Sequence, residues 1–261
     1  MFLLRPPGVY SPQGDTSLLC EIVGREAPVG GARVLDLGTG TGAVAMAAAR
    51  GGAARVTAVD VSARAVLAAR ANALLRGRRM RVLRGDLFGP VAGEVFDVIL
   101  ANPPYVIGGP EPAVRRGGAR AWHGGPGGRR ILDRLCAQAT RHLAPGGTLL
   151  LVHSAFSGVE ASLAALHRSG LRARVVARRP EPFGPVMRGK AAALEARGLI
   201  GHGQRHEELV VIRADRDAAG GQDERRDERR DEERDEGRGE GRDEERDEGR
   251  AGEGHAWRRS A

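Results

Sequence analysis

Cysteine, lysine and aromatic side chains are scarce in this 261-residue chain. Cysteine occurs twice, aromatics make up 3% of the residues, and Lys190 is the single lysine. Cys20 and Cys136 lie far apart, with no Cys-x-x-Cys pair and no His-rich neighbourhood. That excludes a disulfide scaffold and a Cys/His metal centre, and no metal ligand set is expected. Both cysteines read as free thiols packed into helices. No apolar run approaches the roughly 20 residues that a bilayer demands. The opening Met1-Phe2-Leu3-Leu4-Arg5-Pro6-Pro7 is broken too early for a secretory leader. A cytoplasmic protein without a membrane partner is the expectation.

The other absence is local. From Gly220 to Arg250 there is no aliphatic or aromatic residue, and Arg-Asp-Glu-Glu-Arg-Asp-Glu-Gly-Arg occurs at 230–238 and again at 242–250. Such a segment cannot bury apolar surface to offset the entropy of ordering, so 215–261 is expected to be a disordered charged tail. Residues 1–214 then form one ordinary domain with a full core.

Charge divides at the same place. Positions 215–261 hold 12 arginines against 18 acids, and positions 1–214 hold 29 basic against 15 acidic residues. A domain this basic suits phosphate-rich partners, nucleic acid or the ribosome. Heavy use of Ala, Gly and Arg throughout also suits a GC-rich coding sequence, so charge weighs little here.

What the chain does contain is an alternation of strands and helices. Apolar strand runs are expected at 33–37, 55–60, 81–85, 94–101, 148–153, 171–177 and 208–212, with helices at 43–50, 62–76, 129–143 and 159–169. Ser62 is placed to cap its helix, and Ala144-Pro145-Gly146-Gly147 to close another. The fold class expected is α/β, a doubly wound, mostly parallel seven-stranded sheet of Rossmann-like type. Its last two strands, with no clear amphipathic helix between them, make an antiparallel edge. The stretch 180–205 is expected to rim the same cleft, with 181–185 read as a surface loop.

The first strand runs into Asp36-Leu37-Gly38-Thr39-Gly40-Thr41-Gly42. Glycines here clear a path for a ligand across the carboxyl end of the strand and permit positive φ. They alternate as Gly-x-Gly-x-Gly, not the Gly-x-Gly-x-x-Gly of a dinucleotide site. Three acids end three successive strands. Asp36 can accept from an ammonium group and Asp60 from ribose hydroxyls. Asp86 can accept from an adenine amine, with Leu87 and Phe88 near the ring. The pattern favours S-adenosyl-L-methionine (SAM).

About sixty residues on, the fourth strand ends in Asn102-Pro103-Pro104-Tyr105. An amide nitrogen is planar and a poor nucleophile. The Asn102 side-chain oxygen and the Pro103 carbonyl can each accept one N–H of such a group and aim its lone pair at the sulfonium methyl. The prolines stiffen the turn, and Tyr105 can pack on the flat face of the target. The two motifs together point to SAM-dependent N-methyl transfer, with the protein supplying orientation.

With Val9-Tyr10-Ser11-Pro12-Gln13-Gly14-Asp15-Thr16 upstream, residues 5 to 214 resemble the HemK-type protein-(glutamine-N5) methyltransferases, which modify the Gly-Gly-Gln loop of translation release factors. About thirty residues precede the first strand, so the chain is similar to the short branch without the N-terminal helical domain. The resemblance implies that Thr16 meets the cofactor carboxylate end. It implies that Asp36, Gly38, Asp60, Asp86 and Leu87 line the methionine, ribose and adenine parts, and that Asn102 holds the target nitrogen. The family often has Asp-Gly-Arg where this chain has Gly127-Gly128-Arg129. The segment 108–128, with His123 read as a loop residue, is placed to cover the substrate. In eukaryotes and archaea the short branch works with a small zinc-binding activator subunit.

Three readings stand at this point. The first is a methyltransferase of a protein side chain, glutamine ahead of lysine. The second is a methyltransferase of an exocyclic nucleic-acid amine, which the same turn can hold. The third is a SAM-binding protein without catalysis, which an altered Asn102 would have favoured.

Overall fold

The computed structural model describes residues 3–107, 124–125 and 127–218. The chain divides into a unit at 1–218 and a unit at 219–261. The second unit, most of the expected tail, the covering segment 108–123 and His123 lie outside the described residues.

The strands are β1 (Arg33–Leu37), β2 (Arg55–Asp60), β3 (Arg81–Arg84), β4 (Phe96–Ala101), β5 (Leu143–Ser154), β6 (Arg172–Pro182) and β7 (His206–Asp215). The helices are α1 (Gly14–Glu26), α2 (Ala43–Arg50), α3 (Ala63–Leu74), α4 (Arg130–His142), α5 (Val159–Arg168) and α6 (Pro185–Ala196). All seven strands form one sheet in the order β3-β2-β1-β4-β5-β7-β6. β1 runs parallel to β2 on one side and to β4 on the other, so Val34 lies opposite both Val56 and Val98. The strands of this parallel centre read as continuous apolar runs because helices cover both faces. Leu35, Val98, Ile99 and Leu100 are completely buried.

The antiparallel edge expected from the last two strands is the β6–β7 pair, with β7 inside and reversed against both β5 and β6. The segment 181–185 is not a surface loop, and Phe183 within it is buried. β6 extends to Pro182, and α6 follows with Pro185 in its first turn. Met187, Ala191 and Leu194 recur at helical spacing and pack with Ile107, Phe183 and Ile200 into a second small core. The flanking glycines and prolines hid that periodicity.

The folded part also runs past Ala214. Thr148 donates to Asp215 at 2.7 Å, the Arg216 amide donates to the Gly147 carbonyl at 2.9 Å, and Arg172 pairs with Asp217 at 2.8 Å. The boundary expected at 214 therefore moves to about residue 218. Cys20 and Cys136 are free thiols in α1 and α4, Cys136 buried and Cys20 half-buried. Among the described residues no helix is long and apolar enough to cross a membrane.

Candidate active site

Strand order reverses between β1 and β4, and a cavity of about 620 Å³ opens at the carboxyl ends of the strands there. That is the crevice where open α/β sheets bind ligands, and its size falls in the range of roughly 300–1,000 Å³ usual for small-molecule sites. Thr16, Asp36, Gly38, Gly40, Asp60, Asp86, Leu87, Asn102 and Pro103 all line it. Three expected residues do not: Gly42, Tyr105 and Phe88. Gly42 ends the turn at φ +84°, where a Cβ would stand 3.2 Å from that of Ala69, so it lets the turn lie close on α3. Tyr105 is 8% exposed and turns into the core, so its ring is not set to stack on a target in this cavity.

The glycine turn is tied down by acids. Asp36 is buried, and its Oδ2 accepts from the Thr39 hydroxyl at 2.6 Å and the Ala45 amide at 3.1 Å. It therefore caps the start of α2 from the strand. Burial pushes its carboxyl up to about 6, against the pull of those two bonds. Gly38, at φ +72°, lies against the other motif, because a Cβ there would stand 3.3 Å from the Asn102 carbonyl oxygen. Gly40, at φ +55°, has nothing nearer its Cβ position than a carbonyl at 4.0 Å, so its missing side chain leaves the cavity open.

Asp60 ends β2 with one oxygen accepting from the Gly40 amide and the other from the Ser62 amide, at 2.9 and 2.8 Å. Burial raises its carboxyl above the ordinary value, and the two amides oppose that. Each carboxylate oxygen has a second lone pair, so both remain able to accept from a vicinal diol. At the far end Asp86 is paired with Arg134 at 2.7 Å. Sequence reading missed this arginine, which reaches the site from α4. Leu87 holds φ +47°, a left-handed conformation uncommon outside glycine. Phe88 is buried and stacked on His142 with centroids 4.4 Å apart, so it does not serve the adenine end.

Asn102 lies at the cavity wall with its Nδ2 donating to the Thr16 hydroxyl at 3.3 Å. Behind it, Asp15 accepts the hydroxyls of Tyr10 and Tyr105 at 2.8 and 2.9 Å. Asp15 and Tyr10 belong to the entry segment but had no assigned role. Tyr105, which donates to Asp15, lies 90 positions from it, beyond any local pattern.

The cavity fits SAM: a diol acceptor at Asp60, an open glycine turn, and a polar-edged end at Asp86 and Leu87. The Methyltransferase small domain family matches residues 1–115. A protein from Methanocaldococcus jannaschii provisionally named a protein N5-glutamine methyltransferase is 34% identical over 181 residues, covering 69% of this chain and 90% of that protein. The chain belongs to the HemK-type protein glutamine N5-methyltransferase family. Release factor glutamine methyltransferases of Bordetella pertussis and Salmonella typhimurium are each 39% identical over 178 and 171 residues. The chain spans 64% and 61% of their respective lengths, and they cover 64% and 63% of it.

Solved structures share the fold of this HemK-type chain. The E. cuniculi Mtq2–Trm112 complex, responsible for methylation of the eRF1 termination factor, superposes with a TM-score of 0.57 at 24% identity over 80% of this chain and 99% of that one. A T. thermophilus 16S rRNA methyltransferase in complex with AdoMet and guanosine gives 0.54 at 24% identity, over 82% and 50%. The sheet is that of the class I SAM-dependent methyltransferases, and SAM is the methyl donor that this family uses.

Proposed function

We propose that this chain methylates the side-chain amide nitrogen of a glutamine in a protein, in a Gly-Gly-Gln-type loop such as that of a translation release factor, in the cytoplasm. The observation that carries this reading is the seat of Asn102. Its side chain stands on the wall of the cofactor cavity, and its backbone lies against Gly38 of the cofactor turn. An amide acceptor placed there is held within reach of a methyl group bound over the turn.

SAM, when bound, supplies an electrophilic methyl on sulfonium. The protein's part is placement. The Asn102 Oδ1 and the Pro103 carbonyl accept the two N–H groups of the target, so its lone pair faces the donor. The two prolines fix those acceptors before the substrate arrives. With the target held this way, the methyl–sulfur bond would break as the nitrogen–carbon bond forms, and the nitrogen would pass its proton to solvent water.

The Bordetella and Salmonella relatives named for release factors support this substrate. The E. cuniculi complex supports a small activator subunit as partner, which co-purification with the tagged chain tests. The basic balance of residues 1–214 favours a second reading, methylation of an exocyclic nucleic-acid amine. Incubation with labelled SAM and cell extract separates them. The expected label survives nuclease, is lost to protease, and maps by mass spectrometry to glutamine. Label on RNA or DNA selects the second reading, and label on lysine overturns the amide assignment.

A further inference from the structure

Asp15 is 4% exposed at the start of α1 and has no place in the mechanism above. Every hydrogen bond it makes is as an acceptor. Its Oδ2 takes the hydroxyls of Tyr10 at 2.8 Å and Tyr105 at 2.9 Å. Its Oδ1 takes the Thr16 amide at 2.5 Å and the Thr16 hydroxyl at 3.1 Å. Tyr10 and Tyr105 are the only tyrosines in the chain. Burial above all, then the nearby Asp15 charge, pushes both phenols up, so both stay protonated and donate.

This pattern has a direction. A carboxylate offers only lone pairs, and a hydroxyl has one proton. The Thr16 proton is spent on Asp15, so toward Asn102 the Thr16 oxygen can only accept. An asparagine amide has two faces of nearly equal shape, and its neighbours decide which one points where. Here Asn102 must present Nδ2 to Thr16, as it does at 3.3 Å. Its Oδ1 is then turned away from Thr16.

We propose that Asp15 is a positioning residue that sets which way round the Asn102 amide sits, acting through the Thr16 hydroxyl, so that Oδ1 is offered to the target nitrogen. This rests on the reading that Asn102 holds the methyl acceptor. Tyr105 gains a role as well. It follows Asn102-Pro103-Pro104 directly, and its bond to Asp15 pins the far end of that turn to the same carboxylate that orders Thr16. The carboxylate thus couples the turn's position to the side chain's orientation.

Asp15→Ala tests the relay, because it removes the acceptor that takes the Thr16 hydroxyl proton. That proton is then free to seek the Asn102 oxygen, and the amide of residue 102 turns over and presents a donor to the substrate. At saturating SAM, kcat on a Gly-Gly-Gln peptide is expected to fall on the order of tenfold to a hundredfold, as for other misplaced catalytic contacts. SAM affinity by calorimetry is expected to hold within about threefold, roughly half of a tenfold step on the logarithmic scale.

A second pair covers the case in which Asp15→Ala fails to fold. Thr16→Val removes the hydroxyl at nearly constant shape, and Thr16→Ser brings it back. The valine variant should lose kcat at saturating SAM, and the serine variant should recover most of that loss. The side-chain NH₂ resonances of Asn102 in ¹⁵N-labelled protein should shift in Thr16→Val and return in Thr16→Ser, a readout that needs no turnover. A folded Asp15→Ala with wild-type kcat, or a Thr16→Val with wild-type kcat, overturns the inference. Asn102→Ala run alongside separates the two levels. If it keeps transfer, the acceptor reading itself is wrong. If it loses transfer while the Asp15 and Thr16 variants do not, only the relay is wrong.

Discussion

Gly38 and Asn102 touch through their backbones: a Cβ on Gly38 would come within 3.3 Å of the Asn102 carbonyl oxygen. The cofactor turn and the acceptor turn are therefore packed on each other as well as facing one cavity. Gly38 also holds φ +72°, where a side chain costs roughly 1–2 kcal/mol. Gly38→Ala should lower stability by about that amount and displace the Asn102 backbone. A melting curve and single-turnover transfer check it, with both expected to drop. Loss of neither contradicts the packing account.

Asn102→Ala should abolish transfer while leaving SAM affinity within about tenfold, on the order of 1.4 kcal/mol. The side chain belongs to the acceptor side of the cavity, and the hydrogen bonds that seat Asp60 do not involve it. Calorimetry and turnover on the same preparation check this. Near-wild-type transfer contradicts the positioning scheme.

Asp86 and Arg134 are paired at 2.7 Å, but both side chains are about half exposed. Such a pair is worth roughly 0–1 kcal/mol. Arg134→Ala is expected to leave the melting temperature nearly unchanged. Asp86→Ala is expected to weaken SAM binding, and Arg134→Ala to weaken it less. Equal affinity for wild type and Asp86→Ala removes Asp86 from the adenine end.

Two buried groups give opposite pH trends. His153 is buried, and its imidazole is held down to about 4, chiefly by desolvation. Between pH 6.5 and 4 the unfolded chain takes a proton that the native ring refuses, so this group makes stability fall as pH falls. Asp36, pushed up to about 6, does the reverse. Its native carboxyl takes a proton near pH 6, before the unfolded one does, so its contribution rises as pH falls toward 3.8. His153→Leu should therefore gain on wild type by about 3 kcal/mol between pH 7 and pH 4. Urea melts across that range measure it. A pH-independent difference rules out the buried neutral imidazole.

Truncation distinguishes the expected boundary from the observed one. A chain ending at Ala218 should melt like the full chain. One ending at Ala214 loses the Thr148–Asp215 bond, the bonds from Arg216 to the carbonyls of Gly147 and Leu143, and the Arg172–Asp217 pair. It should melt lower by several degrees, since 1 kcal/mol shifts a domain of this size by roughly 2–4 °C. Identical melting curves for both truncations contradict the role given to residues 215–217.

The parts of the site that were legible in the sequence are those whose chemistry is local. Gly38 and Gly40 mark a turn that needs positive φ and open space. Asp60 ends a strand, and Asn102-Pro103-Pro104 is stiff by its own covalent structure. The strands were legible because each apolar run spans one crossing of a sheet covered on both sides. α6 was obscured by Gly184 and Pro185 at its start. The boundary at 214 was misplaced because Asp215 and Arg216 look like the tail in composition, yet bond back to β5 and the end of α4.

The sequence alone determined the layered fold and the cavity at the reversal of strand order, and it pointed to a sulfonium donor beside a planar amide. Periodicity and backbone preference act over a few residues, and these features need no more. Only the tertiary structure decided that Gly42 lets the turn lie close on α3, that Tyr105 faces inward, that Arg134 covers Asp86, and that Asp15 joins Tyr10, Thr16 and Tyr105. Those are contacts between distant stretches of chain. Hydrogen-bond donors find their acceptors only after the core has closed, so no local pattern carries them.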